Sequence, residues 1–209
     1  MKILAVADTE DRALAEHFDP ERWRGVDLIL SLGDLKPDYL DYLVSRLNVP
    51  LLYVRGNHDG GYRDAPPAGC EDVDGRVVTV AGLRIGGLEG SRWYGGSGVE
   101  YSDRHTALRA FMLGLRIRLA GGLDILMTHA PPTFGDPAAD DALDKVHAGF
   151  DSYRKLVLAH RPRLLLHSHT HLNYGRNKRE RMLGPTRVID CYGATLVELD
   201  PRPSRPVAA

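Results

Sequence analysis

Only two cysteines, Cys70 and Cys191, occur in 209 residues. They cannot supply a cysteine-only zinc site, and one pair does not make a disulfide scaffold, so they read as two idle thiols. Neither sign of charge is in excess: 27 Lys and Arg stand against 28 Asp and Glu, a formal net charge of −1. A general field for nucleic acid or a membrane surface is thereby excluded, and any anion binding must be local. Long hydrophobic runs are missing as well. Runs such as Leu164–Leu166 fall far short of the ~20 residues that span a bilayer. Met1 is followed at once by strand-like residues rather than a basic, then apolar, leader, so a cytoplasmic protein is expected. What is present is ordinary globular usage, 43% hydrophobic and 26% charged. One domain over 1–200 is expected, with a loose Pro-rich tail over 201–209.

Short apolar runs at Lys2–Ala7, Val26–Ser31 and Leu51–Val54 predict buried central strands. Pro37–Leu47 predicts a helix, with Pro37 in the first turn and Tyr39, Leu40, Leu43 and Leu47 at helical spacing. RVVTV and LRIGGL, joined at Ala81-Gly82, predict a hairpin over Arg76–Leu88. A Gly-rich loop follows, then a helix over Arg104–Ala120, a strand over Leu123–Thr128, a helix over Val146–His160 and a strand over Arg163–His167. Thr186–Cys191 and Ala194–Leu199 close the pattern as strands. Alternation of strands and helices predicts an α/β core with an antiparallel part. The basic run Arg176, Lys178, Arg179 and Arg181 reads as a solvated turn.

Polar clusters fall where these strands end. Asp8-Thr9-Glu10 follows the first strand, Gly33-Asp34 the second and Gly56-Asn57-His58-Asp59 the third. His129 follows the Leu123–Thr128 strand, and HSHTH, with His167, His169 and His171, begins where Arg163–His167 ends. In open α/β sheets, ligands bind at the carboxyl ends of strands. Each cluster alone suits a turn. HSHTH is harder to dismiss, because an extended chain would put three imidazoles on one face, which a bound metal would explain.

This series, D-x-E, GD, GNHD, H and SHTH in order from Asp8 to His171, resembles the calcineurin-like metallophosphoesterases, whose pattern is D-x-H, GD, GNH[DE], H and GHxH. The resemblance implies a four-layer α/β/β/α sandwich of two mixed sheets and a metal-dependent phosphohydrolase. It also implies two divalent ions. Asp8, Asp34 and His171 would hold one, with Glu10 where the family has His, and Asp34, Asn57, His129 and His169 the other. A bridging hydroxide would attack phosphorus in line. His58 would assist the leaving oxygen, and Asp59 would fix the His58 tautomer.

Two departures stand out. Ser168 replaces the glycine before the double His, so the backbone there should avoid a glycine-only conformation. Glu10 adds a third carboxylate. Two divalent ions, three carboxylates and a hydroxide sum to zero, where a His at position 10 would leave one positive charge. Hard oxygen favours Mn²⁺ or Fe²⁺, with Zn²⁺, Ni²⁺ and Mg²⁺ compatible. Lys36 and Arg92 are candidate phosphate cations. His147 is a candidate substrate contact in the acidic 135–149 segment, which carries Asp136, Asp140, Asp141 and Asp144 and could form a lid. Trp93 and Tyr94 could stack a base or simply pack. The expected partner is a phosphate-ester substrate, nucleotides among them; oligomeric state is not legible. The competing reading is a non-catalytic protein-binding scaffold on the same fold; His58 and Asp59 argue for the enzyme.

Overall fold

A computed structural model describes residues 1–96, 98–136, 140, 145–171 and 178–200. Its strands form two large sheets. The first carries β1 (Lys2–Ala7), β2 (Val26–Ser31), β3 (Leu51–Tyr53), β4 (Cys70–Asp72) and β13 (Gly193–Glu198) in the order β13-β1-β2-β3-β4. All neighbours are parallel except β13, which runs antiparallel to β1 with Lys2 opposite Glu198 and Ala7 opposite Gly193. The second is ordered β11-β12-β10-β9-β6-β5, from β5 (Val77–Val80), β6 (Leu83–Leu88), β9 (Ile125–Thr128), β10 (Leu164–His167), β11 (Glu180–Leu183) and β12 (Thr186–Asp190). Its two edge pairs are antiparallel and its middle is parallel. A short pair, β7 (Ser91–Arg92) and β8 (Glu100–Tyr101), stands apart.

Side chains along a strand point alternately to its two faces, and the sequence uses both. On β1, Ile3 and Ala5 pack into the core between the sheets, where Leu28, Leu30, Ile125, Leu164, Leu166 and Ile189 meet them. Leu4 and Val6 face the other way, onto Leu14 of α1 (Arg12–Ala15) and Tyr39, Leu40 and Leu43 of α2 (Pro37–Leu47). On the second sheet Leu126, Leu165 and Val188 face Ala110, Leu113 and Ile117 of α3 (Asp103–Leu119) and Tyr153 and Val157 of α4 (Asp151–His160). Three cores therefore separate four layers, helix, sheet, sheet, helix, as the resemblance implied. No described helix is long and apolar enough to cross a membrane.

Most expected elements lie within a residue or two of their observed bounds. The helix expected from Val146 begins instead at Asp151. Phe150 is held in a bridge to Pro132: its N–H reaches the Pro131 carbonyl at 3.0 Å, and its own carbonyl accepts from Thr133 at 3.2 Å. Phe150 is therefore the cap: its N–H is spent in the bridge, and its carbonyl, shared with Thr133, accepts the first helical N–H, from Arg154 at 3.3 Å. Cys70 is partly buried and Cys191 buried, both as free thiols. Asp141, Asp144, Arg176 and the 201–209 tail lie outside the described residues. Asp140 accepts from the Phe134 and Gly135 N–H groups at 2.7 and 2.9 Å.

Candidate metal centre

The loops after β1, β2, β3, β9 and β10 converge on one spot, and tight backbone geometry brings them there. Asp8, Asp34, His169 and His171 all adopt left-handed conformations, with φ between 49° and 70°. Asp and His tolerate this region better than most side chains. The stretch after His167 is therefore a turn and not the extended stripe that alternate histidines suggest. His167 is buried, its Nδ1 3.2 Å from the Ser168 carbonyl, while His169 and His171 turn towards the cluster. The His129 and His169 rings are 4.9 Å apart, His147 lies 4.9 Å from His169 and 5.5 Å from His171, and His171 lies 5.5 Å from Tyr192.

The GD and GN loops interlock so closely that only glycine fits. A Cβ on Gly33 would lie 2.1 Å from the Gly56 nitrogen, and one on Gly56 would lie 2.0 Å from Asp34 Oδ1. The His58 backbone N–H donates to Asp34 Oδ1 at 2.8 Å. Asp59 has a different task from the one the motif implied. Its buried Oδ2 accepts from the backbone N–H groups of Asp34 and Gly56, both at 2.7 Å. Burial raises its pKa to about 6 against the pull of the Gly56 hydrogen bond. Asp59 thus orders the ligand loops rather than the His58 imidazole, which is exposed at the cleft. Asp59→Ala is expected to destabilise the fold by about 2 kcal/mol, because two inward N–H groups lose their acceptor. Asp59→Asn should cost less; urea unfolding of both variants measures the difference.

His129 is fully buried, with Nδ1 2.7 Å from the Leu32 carbonyl. That nitrogen must carry a proton, since a carbonyl only accepts. Its Nε2 faces two further acceptors, Asn57 Oδ1 at 2.9 Å and Asp34 Oδ2 at 3.3 Å. Three groups bearing lone pairs meet there, and only a proton or a cation reconciles them. Without a cation, burial pushes the His129 pKa down, but the Asp34 carboxylate overrides it and lifts it to about 9. Burial likewise raises Asp34, and His129 overrides it to about 2. His169 falls to about 3 through burial and the nearby charge of His129. Asp34, His129 and His169 bring a ligand atom each within 4.8 Å of one another.

Asp8 stands beside them. Its Oδ2 accepts from the Ser168 hydroxyl and from the His169 N–H at 3.2 Å. Its Oδ1 is buried without a partner, and burial raises its pKa. An orphaned carboxylate oxygen is costly unless a cation is bound there. These donors, carboxylate, amide oxygen and imidazole, suit a divalent ion of the first transition row or Mg²⁺. Ser168 keeps an ordinary φ, and its hydroxyl adds a contact that the glycine of the motif could not make. Glu10 is half-exposed, with Oε1 3.2 Å from Lys36 Nζ.

Arg92 is committed elsewhere, which corrects its candidacy as a phosphate cation: it binds Asp103 at 3.1 Å and the Gly149 carbonyl at 2.9 Å and lies over Phe150. Sequence reasoning missed the scaffold around Asn57. The Asn57 Nδ2 donates to the Tyr94 hydroxyl at 3.0 Å, which leaves Oδ1 facing the cluster. Glu100 Oε2 accepts from the N–H groups of Tyr94, Gly95 and Gly96 at 2.7 to 3.1 Å, fixing the loop that carries Tyr94. A buried bidentate pair, Arg55 with Glu89 at 2.7 and 3.0 Å, anchors both ends of this region. The only sequence signals were the glycines and the Glu in GLEG.

A helix-flanked double sheet with carboxylate, amide and imidazole donors gathered at its strand ends defines a metallophosphoesterase-type fold. The chain belongs to the calcineurin-like phosphoesterase family, whose family model matches residues 1–173. Among solved structures it resembles TT1561 of Thermus thermophilus, with TM-score 0.62 and 16% identity over 92% of this chain and 89% of that one. It also resembles a putative 5'-nucleotidase from Staphylococcus aureus, with TM-score 0.57 and 12% identity over 95% and 51%. GAP50 of Plasmodium, an anchor in the inner membrane complex, has TM-score 0.53 and 13% identity over 92% and 71%. At these identities the likeness is one of fold. No curated protein matches the chain. Family membership supports a phosphoester hydrolase in general and implies divalent metal ions.

Proposed function

We propose that the protein hydrolyses phosphate esters with two divalent ions, Mn²⁺ or Fe²⁺ preferred. The observation that carries this reading is the convergence of Asn57 Oδ1, Asp34 Oδ2 and the acceptor nitrogen of His129, beside the unpartnered Asp8 Oδ1. Asp34, Asn57, His129 and His169 would hold one ion. Asp8, Asp34 and His171, with Glu10, would hold the other. When bound, the ions supply Lewis-acid polarisation of the phosphoryl oxygens and an acidified water. The chain's own groups do the rest. Asp59 and the His58 backbone N–H hold Asp34 in place. The Tyr94 hydroxyl keeps the Asn57 amide oxygen inward. The exposed His58 imidazole gives a proton to the leaving oxygen. A cleft of about 680 Å³, lined by Asp8, Glu10, Asp34, Lys36, His58 and Tyr62, receives the ester.

The test is metal content and hydrolysis measured together. With Mn²⁺ supplied, a generic phosphodiester or monoester should be turned over, and a chelator should abolish it. Glu10 gives a finer check. With His at position 10 the centre gains one positive charge and a softer donor. The acidic limb of the pH–rate profile, which reports the metal-bound water, should then move down by about one pH unit, and metal preference should move towards Zn²⁺. An unchanged limb with unchanged preference would remove Glu10 from the ligand set.

A further inference from the structure

A phosphate ester entering this cleft brings negative charge to a place already rich in it. Asp8, Glu10, Asp34 and Asp59 all line the cleft. Among its described lining residues, Lys36 is the one Lys or Arg; Arg92 is held outside it by Asp103 and Gly149. Lys36 sits at the cap position of the eleven-residue helix α2 and makes no side-chain cap bond there. Its ammonium is instead 3.2 Å from Glu10 Oε1, and the side chain is 79% exposed, so it can turn between partners. Glu10 is the residue by which this chain departs from the family's first motif, and it subtracts one positive charge from the centre. Lys36 stands beside it and restores that charge.

We infer that Lys36 is the phosphate-binding cation of this site: it is held by Glu10 before substrate enters and transfers to a non-bridging oxygen of the bound phosphate. The inference rests on the proposed phosphoesterase reading. A lysine ammonium is a mobile point charge with three donors, suited to moving from one oxyanion to another. Such a charge-assisted bond is short and roughly twice as strong as a neutral one. The Glu10 carboxylate, released, would be free to help hold an ion beside Asp8. The inference makes the D-x-E motif and Lys36 a pair: without the lysine, the extra carboxylate would simply oppose the substrate.

Calorimetric titration of inorganic phosphate into the Mn²⁺-loaded protein tests this without requiring turnover. Lys36→Met, which keeps the aliphatic stem, should weaken phosphate binding about tenfold, and Lys36→Arg should recover most of it. The decisive comparison is made in a Glu10→Gln background. A lysine that touches phosphate matters at least as much once Glu10 no longer competes for it, so the loss on Lys36→Met should persist or grow. If the loss vanishes in that background, Lys36 only neutralises Glu10 and the inference is overturned. Equal phosphate affinity in wild type and Lys36→Met overturns it too. An active enzyme with phosphate binding indifferent to Lys36 would leave the phosphoesterase reading intact, whereas a chain that binds phosphate through Lys36 but hydrolyses nothing would fail that reading alone.

Discussion

Alanine at His58 is expected to cut turnover of a phosphodiester by about 10²–10⁴-fold while leaving Mn²⁺ binding unchanged. The substitution isolates the imidazole well. His58 is exposed, and the contact that matters for the ligand loop is its backbone N–H to Asp34 Oδ1 at 2.8 Å, which alanine retains. Asp59, one residue on, holds the Asp34 and Gly56 backbones and is untouched. The loss should therefore fall on kcat. It should also depend on the leaving group. An ester that releases a nitrophenolate needs little protonation and should lose least; an alkyl ester should lose most. A uniform loss across leaving groups would assign His58 to electrostatic stabilisation of the phosphoryl group instead.

Asp34→Asn should weaken Mn²⁺ binding by more than about 100-fold and reduce hydrolysis to background. Asp34 is the carboxylate common to both proposed ligand sets, so its charge counts twice. Its oxygens also face the other ligands directly, with Oδ2 3.3 Å from His129 Nε2. Loss of a group merely supporting a ligand typically costs roughly 10–100-fold in affinity, and loss of a shared ligand should exceed that. Asparagine keeps an oxygen to accept the His58 N–H, so the loop itself should survive. The unfolding midpoint reads this independently of activity. Added Mn²⁺ should raise the midpoint of wild type by mass action and leave that of Asp34→Asn nearly fixed. Equal metal-induced shifts in the two proteins would remove Asp34 from the centre.

Much of the architecture was legible because burial on both faces forces nearly continuous apolar runs, and β1, β2, β6, β9 and β10 are such runs. The strands missed were short or polar. β4 reads CED and β11 reads ERML, and each is paired at a sheet edge where no periodicity is demanded. The residues gathered at the strand ends were legible from order and type. Their conformations were not. Nothing in HSHTH says that His169 and His171 sit at positive φ, because that depends on Ser168 binding Asp8 and on Thr170 binding Asp190, contacts 160 and 20 residues apart in sequence. The same holds for Asp59. Adjacency to His58 suggested an orienting partner, whereas the fold turns the carboxylate back onto two backbone N–H groups. Tyr94 and Glu100 were illegible for a related reason. A loop reads as spacer until the three N–H groups gathered by Glu100 reveal that it is fixed.

The most direct test of the central claim is a Mn²⁺ titration of the metal-free protein, with bound metal and phosphodiester hydrolysis measured at every point. Two ions should bind per chain, with hydrolysis rising as the second is bound and disappearing on chelation. Stoichiometric Mn²⁺ binding with no hydrolysis of any diester or monoester, in a wild type indistinguishable from His58→Ala, would contradict it and leave the fold as a metal-bearing scaffold.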